Sequence, residues 1–134
     1  CVGTGASSRG VAEVLKRHRS EVEFIGVEPA ESSVLLGGPA GPHKIEGVGI
    51  GFTPPLWQPG LADDVLAVST AAAKAMARRL AREEGLFAGT SSGANVVAAL
   101  RVAARLGTGA LVVTLMVDAG LKYLNTDVYR TSEG

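Results

Sequence analysis

The chain opens with Cys1-Val-Gly-Thr-Gly-Ala-Ser-Ser-Arg-Gly10, a glycine-rich stretch typical of the turn between a β-strand and a helix. Glycine lets the backbone approach a ligand closely, and a following helix directs its positive end toward an anion. The stretch therefore predicts an α/β unit with a helix that begins near Ser8. It also predicts a cup for a phosphate monoester at Gly3 to Ser7, where Thr4 and Ser7 can add hydroxyl donors.

The opening stretch has two other possible interpretations, an ATP-binding loop and a dinucleotide-binding fingerprint. A Walker loop needs a Gly-Lys-Ser/Thr ending, whereas Val11 and Ala12 follow Gly10 here, so the ATPase interpretation fails. A dinucleotide fingerprint would need a third glycine where the chain has Ser8, although Glu28 stands where the ribose-binding acid belongs. This partial match remains open, as does a purely structural turn.

The apolar pattern along the chain alternates between the helical period and short strand-like runs. An apolar face of Val11, Val14 and Leu15 indicates the first helix. The segment from Glu28 to Gly60 is rich in Gly and Pro and is expected to form the wall or lid of a site. The alternation predicts an α/β fold with a parallel sheet. The predicted helices are Ser8 to Ser20, one after the caps Ser69 and Thr70, and Ala94 to Leu106; the predicted strands are Val22 to Val27, Val65 to Val68 and a central Leu111 to Val117.

The composition argues against several classes of function. The 13 basic and 13 acidic side chains of this 134-residue chain cancel, which argues against nucleic acid or a membrane surface as partner. Cys1 is the one cysteine, so neither a disulfide nor a cysteine metal site is expected, and a cytoplasmic location is favoured. His43 is interpreted as a surface or hydrogen-bonding residue rather than a metal ligand. No run approaches the roughly 20 apolar residues of a membrane span.

A second glycine loop, Gly89-Thr-Ser-Ser-Gly93, precedes the helix at Ala94 and is expected to follow a strand. Ligands of parallel α/β sheets bind at the carboxyl ends of the strands, so this loop and the opening loop can face the same crevice. A simple helix cap explains the second loop equally well when it is considered alone.

Several strings along the chain resemble, in order, motifs of the cysteine synthase group, the β-family of pyridoxal-phosphate enzymes that includes O-acetylserine sulfhydrylase and cystathionine β-synthase. Gly3-Thr4-Gly5-Ala6-Ser7 is similar to the phosphate loop Gly-Thr-Gly-Gly-Thr of that family, and Gly89-Thr-Ser-Ser-Gly-Ala94 resembles a second motif. The other matching strings are Gly26-Val-Glu-Pro-Ala-Glu-Ser32, Gly41-Pro-His-Lys-Ile-Glu-Gly47 with Gly49-Ile-Gly51-Phe52, and Ala81-Arg-Glu-Glu-Gly85. The resemblance covers nearly the whole chain.

The resemblance implies an incomplete α/β domain with a three-layer parallel sheet of the tryptophan synthase β-like type, known as fold type II. Residues 1–134 would form the C-terminal, large cofactor-binding portion of the enzyme. The implied cofactor is pyridoxal 5'-phosphate, whose phosphate would be held by Gly3 to Ser7 and whose pyridine nitrogen would meet Ser91. The residues implied to line the substrate entrance are Gly47, Gly49 and Gly51.

The chemistry of the resembled family explains a serine at the ring nitrogen. A neutral hydroxyl does not keep that nitrogen protonated as a carboxylate would, so the ring is a weaker electron sink. Loss of a β-leaving group is then favoured over transamination. The resemblance implies that a sulfur nucleophile replaces the leaving group of a small amino-acid donor such as O-acetylserine, giving cysteine or a related amino acid. It also implies a homodimer.

Two departures from the family are visible. Ala6 replaces the fourth glycine of the phosphate loop, which keeps the backbone N–H available, and Val117-Asp-Ala-Gly-Leu-Lys-Tyr-Leu124 differs from the usual Pro-Asp/Ser-Ser-Gly-Glu-Arg-Tyr-Leu string. The second departure resembles a minority branch of the sulfhydrylases and weakens the assignment of the acceptor substrate.

The N-terminal half of the resembled enzymes, which carries the Schiff-base lysine, is absent from this chain. None of the lysines present stands in a matching motif, so no catalytic residue is predicted and the chain alone is expected to be inactive. The lysines present are Lys16, Lys44, Lys74 and Lys122. Two alternatives remain: a non-catalytic, Rossmann-like nucleotide- or phosphate-binding module in which Glu28 binds a ribose, and a structural domain without a ligand.

Overall fold

The structure, a computed structural model, describes residues 1–130, which form two compact units. The first unit comprises Cys1–His43 and Gly47–Ala67, and the second comprises Lys44–Glu46 and residues 68–130. Short 3₁₀ turns supplement the regular elements at Ala30–Ser32, Val34–Leu36 and Gly120–Tyr123. The regular elements of the described residues are α1 (Ala6–His18), β1 (Ile25–Pro29), β2 (Asp64–Val68), α2 (Thr70–Glu83) and α3 (Thr90–Leu106).

Helix α1 begins slightly earlier than predicted and buries a different face. Gly5 precedes it with φ of 85°, a left-handed conformation that ends the preceding extended chain. Ser8 and Ala12, one helical turn apart, are buried, whereas the expected apolar face of Val11, Val14 and Leu15 is 40 to 50% exposed. The prediction of the buried face was therefore wrong, because α1 buries small side chains rather than its larger apolar ones.

Strands β1 and β2 pair in a small parallel sheet. Strand β1 begins at Ile25, later than predicted, and Gly26 to Pro29 are buried. Asp63, just before β2, accepts hydrogen bonds from the Phe24 backbone N–H at 2.7 Å and from Lys16 Nζ of α1 at 2.8 Å. The connection between the two strands is irregular apart from two 3₁₀ turns, as the sequence indicated.

Helices α2 and α3 pack against each other in the second unit. The Ser69 hydroxyl caps α2 by accepting from the Ala72 backbone N–H at 3.2 Å, as predicted. A Cβ added at Gly93 would overlap the carbonyl oxygen of Ala73, so glycine permits the close approach of the helices. One side of α3 is open to solvent, since Leu100 is 54% exposed.

The most apolar segment of the chain, residues 111–117, is not a strand among the described residues. Its side chains are largely exposed, including Leu111 at 87% and Val113 at 78%. A strand requires a partner for its backbone hydrogen bonds, and no segment within residues 1–130 pairs with this one. The prediction of a central strand was wrong for this chain, whose described residues form a sheet of β1 and β2 alone.

Candidate functional site

The opening loop places a helix N-terminus at the predicted phosphate cup. Helix α1 starts at Ala6 after the left-handed Gly5, while Thr4, Ala6 and Ser7 are exposed. The first backbone N–H groups of an α-helix lack intrahelical acceptors and carry the positive end of the helix dipole. The loop therefore presents N–H donors and the exposed hydroxyls of Thr4 and Ser7 to solvent.

The residues of this loop fit a phosphate group. Gly5 at the N-cap has no side chain that could compete for the first N–H groups, and the first turn of α1 contains no acidic residue. Glu13, one turn further, is paired with Arg9 at 2.7 Å. The Ala6 N–H donates to the Thr4 hydroxyl at 3.5 Å, a weak hydrogen bond that an anion can replace.

Trp57, which the sequence did not indicate, packs closely against Gly5 of the opening loop. A Cβ added at Gly5 would lie 3.2 Å from the Trp57 backbone N, and one added at Gly26 would lie 2.7 Å from the Trp57 ring. Both glycines are thus required by close approach to the same residue. Only a non-local contact between the start of the chain and position 57 reveals this role.

The segment with Gly47, Gly49 and Gly51, termed the entrance loop after its predicted role, contacts the opening segment Gly3 to Ser7, termed the phosphate loop, within the first unit. The Gly49 backbone N–H donates to the Val2 carbonyl at 3.1 Å, and a Cβ added at Gly3 would overlap the carbonyl oxygen of Gly47. Gly47, Gly49 and Gly51 all adopt positive φ, between 59° and 86°. The structure therefore brings together two glycine-rich segments that lie more than forty positions apart in the sequence.

His43 forms a hydrogen bond, one of the two roles that the sequence indicated. Its Nε2 donates to the Gly49 carbonyl at 2.9 Å, an assignment that places a proton on Nε2 because a carbonyl only accepts. The contact fixes the middle of the entrance loop. Within residues 1–130, the side chains of His, Cys, Asp and Glu form no group that could hold a metal ion.

Glu28 does not serve as a ribose-binding acid. Both of its carboxylate oxygens are used within the chain, since Oε2 accepts from the Leu35 N–H at 2.8 Å and Oε1 from the Leu36 N–H at 3.0 Å. The side chain is 2% exposed, and burial raises the pKa of Glu28 despite these two hydrogen bonds. The dinucleotide interpretation thereby loses the acid on which it depended.

The second glycine loop is the first turn of α3 rather than a loop. Helix α3 begins at Thr90 after the N-cap Gly89, and the preceding segment contributes only a single antiparallel bridge, between Ala88 and Ala119. The expectation of a preceding strand was therefore wrong. Ser91 is 4% exposed, and its neighbours Thr90 and Ser92 are fully buried.

Hydrogen bonds hold both neighbours of Ser91. The Thr90 hydroxyl accepts from the Glu46 backbone N–H at 3.4 Å, and the Ser92 hydroxyl oxygen accepts from the Val117 N–H at 3.1 Å. The Ser92 hydroxyl also lies 3.5 Å from the carboxylate of Asp118. Asp118 was not among the predicted site residues, and its sequence position, 26 residues from Ser92, gave no direct signal of this contact.

Each of the four lysines of the chain forms an ion pair with a carboxylate. The side chain of Lys74 is only 10% exposed and contacts both carboxylate oxygens of Asp127 at 2.7 Å. The other three lysines pair as Lys16 with Asp63, Lys44 with Asp127 and Lys122 with Glu46. None of the helices within the described part of the chain has the length and apolar character needed to cross a bilayer.

Comparison with known proteins identifies relatives for nearly the whole chain. The chain is 44% identical over 128 residues to a cysteine synthase of Staphylococcus aureus (strain Mu50 / ATCC 700699), covering 96% of this chain and 41% of that protein. The chain thus spans about two fifths of the length of this relative.

Solved structures match the fold equally well. A crystal structure of cysteine synthase from Entamoeba histolytica has a TM-score of 0.93 at 38% identity, covering 99% of this chain and 40% of that chain. An O-acetylserine dependent cystathionine β-synthase from Helicobacter pylori has a TM-score of 0.90 at 40% identity, with coverages of 96% and 42%. These neighbours have the type II fold of pyridoxal-phosphate enzymes, which confirms the predicted fold class.

The sequence pattern of one protein family covers most of the chain. The family described as "Pyridoxal-phosphate dependent enzyme" matches residues 1–118, a stretch that includes the phosphate loop, the entrance loop and Ser91. Because this match extends over far more than half of the sequence, the chain belongs to the family of pyridoxal-phosphate-dependent enzymes.

Proposed function

We propose that this chain is the C-terminal, cofactor-binding portion of a longer enzyme that exchanges the leaving group of an activated serine for a sulfur nucleophile. O-acetylserine is the proposed type of donor, and cysteine or a related amino acid is the product. The observation that carries the proposal is the N-terminus of α1, which follows Gly5 and can bind an anion. The chain that contains it is 44% identical to a cysteine synthase.

The phosphate of pyridoxal phosphate would be held by Gly3 to Ser7. Backbone N–H groups at the start of α1 would donate to the phosphate oxygens, and the exposed hydroxyls of Thr4 and Ser7 would add side-chain donors. Ala6 contributes through its backbone, so its methyl group does not remove a donor. The contact of Gly3 with Gly47 would orient the entrance loop beside the bound cofactor.

Ser91 would meet the pyridine nitrogen of the cofactor. When bound, pyridoxal phosphate supplies an electron sink that stabilises negative charge at the amino-acid Cα. The hydroxyl of Ser91 is neutral and nearly fully buried, so it can hydrogen-bond the ring nitrogen without holding an extra proton on it. Such a residue favours loss of the β-leaving group over transfer of the amino group.

We place the enzyme in the cytoplasm as a homodimer that acts on small amino-acid substrates. The single cysteine supports a reducing compartment, and the family resemblance supports a dimer. Light scattering of the full-length protein measures the assembly, and a monomeric active enzyme would contradict the dimer.

Intact-mass measurement of the full-length protein tests the proposal. After incubation with pyridoxal phosphate and borohydride reduction, we expect one cofactor adduct on a lysine outside residues 1–134. The same preparation should form cysteine from O-acetylserine and sulfide. A folded full-length protein that carries no adduct and forms no cysteine would overturn the proposal.

Replacement of Ser91 tests its role within that enzyme. We expect Ser91→Ala to lower kcat by about tenfold or more, since one polar contact to the reacting system is lost. Ser20→Ala, at an exposed serine beyond the end of α1, is the matched control and should leave turnover unchanged. Wild-type turnover of Ser91→Ala would contradict the role.

A further inference from the structure

Asp118 connects the first turn of α3 with Tyr123. Its Oδ2 accepts a hydrogen bond from the Tyr123 hydroxyl at 2.5 Å, and its Oδ1 accepts from the Ser92 hydroxyl at 3.5 Å. The Ser92 hydroxyl oxygen accepts in turn from the Val117 backbone N–H. The residue that follows Ser91 is therefore tied to the 117–123 segment through both its donor and its acceptor functions.

The backbone before α3 is held by the same segment. The Gly89 N–H donates to the Asp118 carbonyl at 3.2 Å, and the Gly120 N–H donates to the Phe87 carbonyl at 2.9 Å. A Cβ added at Gly89 would overlap both the Asp118 carboxylate and the Tyr123 ring. Side-chain and backbone contacts thus hold the N-cap of α3 directly against Asp118 and Tyr123.

The Tyr123 hydroxyl is a hydrogen-bond donor at neutral pH. Tyr123 is 1% exposed, and burial together with the neighbouring Asp118 carboxylate raises the pKa of Tyr123 above its ordinary value near 10. Tyr123 also interacts with the Thr90 hydroxyl, on the other side of Ser91. Contacts from Asp118 and Tyr123 therefore reach both neighbours of Ser91.

We propose that Asp118 and Tyr123 are positioning residues that fix the first turn of α3, so that the Ser91 hydroxyl is held in one orientation toward the cofactor ring. This inference rests on the proposed function, because it assumes that Ser91 meets the ring nitrogen. Asp118 and Tyr123 act through Ser91 and do not themselves touch the cofactor. Removal of either contact should allow the turn to adopt other orientations.

Tyr123→Phe in the full-length protein is the primary test, with Asp118→Asn as a second variant. Tyr123→Phe keeps the buried ring and removes only the hydroxyl that donates a hydrogen bond to Asp118. We expect kcat to fall about tenfold while KM for the donor changes less than about twofold, since orientation rather than donor binding is altered. In the cofactor-free protein, amide exchange of a peptide covering residues 89–95 should accelerate about two- to tenfold.

Tyr129→Phe provides a matched control. The Tyr129 hydroxyl donates to the Ala88 carbonyl and lies 3.3 Å from that of Ala77, so this variant also removes a tyrosine hydrogen bond but leaves the hydrogen bonds of Asp118 and of the Ser92 hydroxyl in place. We expect a lower Tm without the loss of kcat. In a Ser91→Ala background, Tyr123→Phe should cause no further loss of kcat, because a residue that acts through Ser91 has no effect once that hydroxyl is gone.

The outcomes separate this inference from the function on which it rests. One possible result is an active wild-type enzyme together with Tyr123→Phe and Asp118→Asn variants that have a lower Tm but an unchanged kcat and an unchanged exchange rate at residues 89–95. This result would overturn the positioning role alone. Fully additive losses of kcat in the double variant would also overturn it. A full-length wild type that binds no pyridoxal phosphate would overturn the proposed function and this inference together.

Discussion

At Gly3 the phosphate loop touches the backbone of the entrance loop. An added Cβ would overlap the carbonyl oxygen of Gly47, and neither backbone can move without displacing its loop. We therefore expect Gly3→Ala in the full-length protein to weaken binding of pyridoxal phosphate by about tenfold or more, which corresponds to about 1.4 kcal/mol. Calorimetric titration of the cofactor measures this effect.

Gly10→Ala is the control for this prediction. An added methyl group at Gly10 meets nothing within 4 Å, and the residue lies inside α1, where alanine is the better helix former. We expect unchanged cofactor affinity and a stability gain of roughly 0.5 to 1 kcal/mol. Wild-type affinity in Gly3→Ala would show that the contact with Gly47 does not matter for binding.

At the scale of single elements, Ser69 determines where α2 begins. Its hydroxyl accepts from the Ala72 N–H, one of the helix donors without an intrahelical partner. We expect Ser69→Ala to lower the free energy of unfolding by about 1 kcal/mol, measured by urea denaturation. Ser69→Asp keeps an acceptor and should retain most of the stability; equal losses in both variants would argue against capping.

Asp63 links α1 to the start of β1 and makes the first unit sensitive to acid. The hydrogen bond from Lys16 and the backbone N–H of Phe24 lower the pKa of Asp63 below its usual range near 3.8. Because the folded-state pKa is depressed, the stabilisation is present above the unfolded-state pKa and is lost as the pH falls through the folded-state pKa.

We accordingly expect Asp63→Asn to be less stable than the wild type at pH 7 and to approach it below about pH 3.8. The difference at pH 7 should be at most about 1 kcal/mol, because the carboxylate is 41% exposed and its attraction to Lys16 is screened by solvent. Urea denaturation across this pH range provides the measurement. A stability difference between the two proteins that does not change with pH would contradict the assignment.

At the scale of the whole molecule, residues 111–117 present a row of exposed apolar side chains. Leu111 is 87% exposed and Val113 is 78% exposed, and an unpaired extended segment of this kind promotes association. We expect the 134-residue chain produced alone to self-associate. Leu111→Lys combined with Val113→Lys should reduce that association, as measured by sedimentation.

Thr108→Lys serves as the control, because it adds a charge at an exposed turn position outside the apolar segment. It should leave the association of the isolated chain nearly unchanged. Equal solubilisation by the control and the double variant would indicate a general effect of charge rather than a role of residues 111–117.

Local features of the sequence predicted much of the fold and part of the site. The apolar period and the Ser69 cap located α2, and the glycine spacing placed the start of α1 within two residues. The motif order led to the family that the comparisons confirm. These features depend on residues within one or two helical turns, so they can be read without knowledge of the tertiary structure.

Tertiary structure alone decided the features that depend on distant partners. Residues 111–117 have a strand-like composition, but a strand forms only when another segment accepts its hydrogen bonds, and the described residues supply none. The partners of two carboxylates also depend on the tertiary structure. Glu28 accepts hydrogen bonds from the backbone of Leu35 and Leu36, and Asp118 accepts from the hydroxyls of Ser92 and Tyr123. The sequence by itself determined that three helices form, that a glycine turn precedes α1, and which family the chain belongs to, because those follow from local patterns. The folded chain determined which polar groups meet, because such contacts join residues that only folding brings within hydrogen-bond distance.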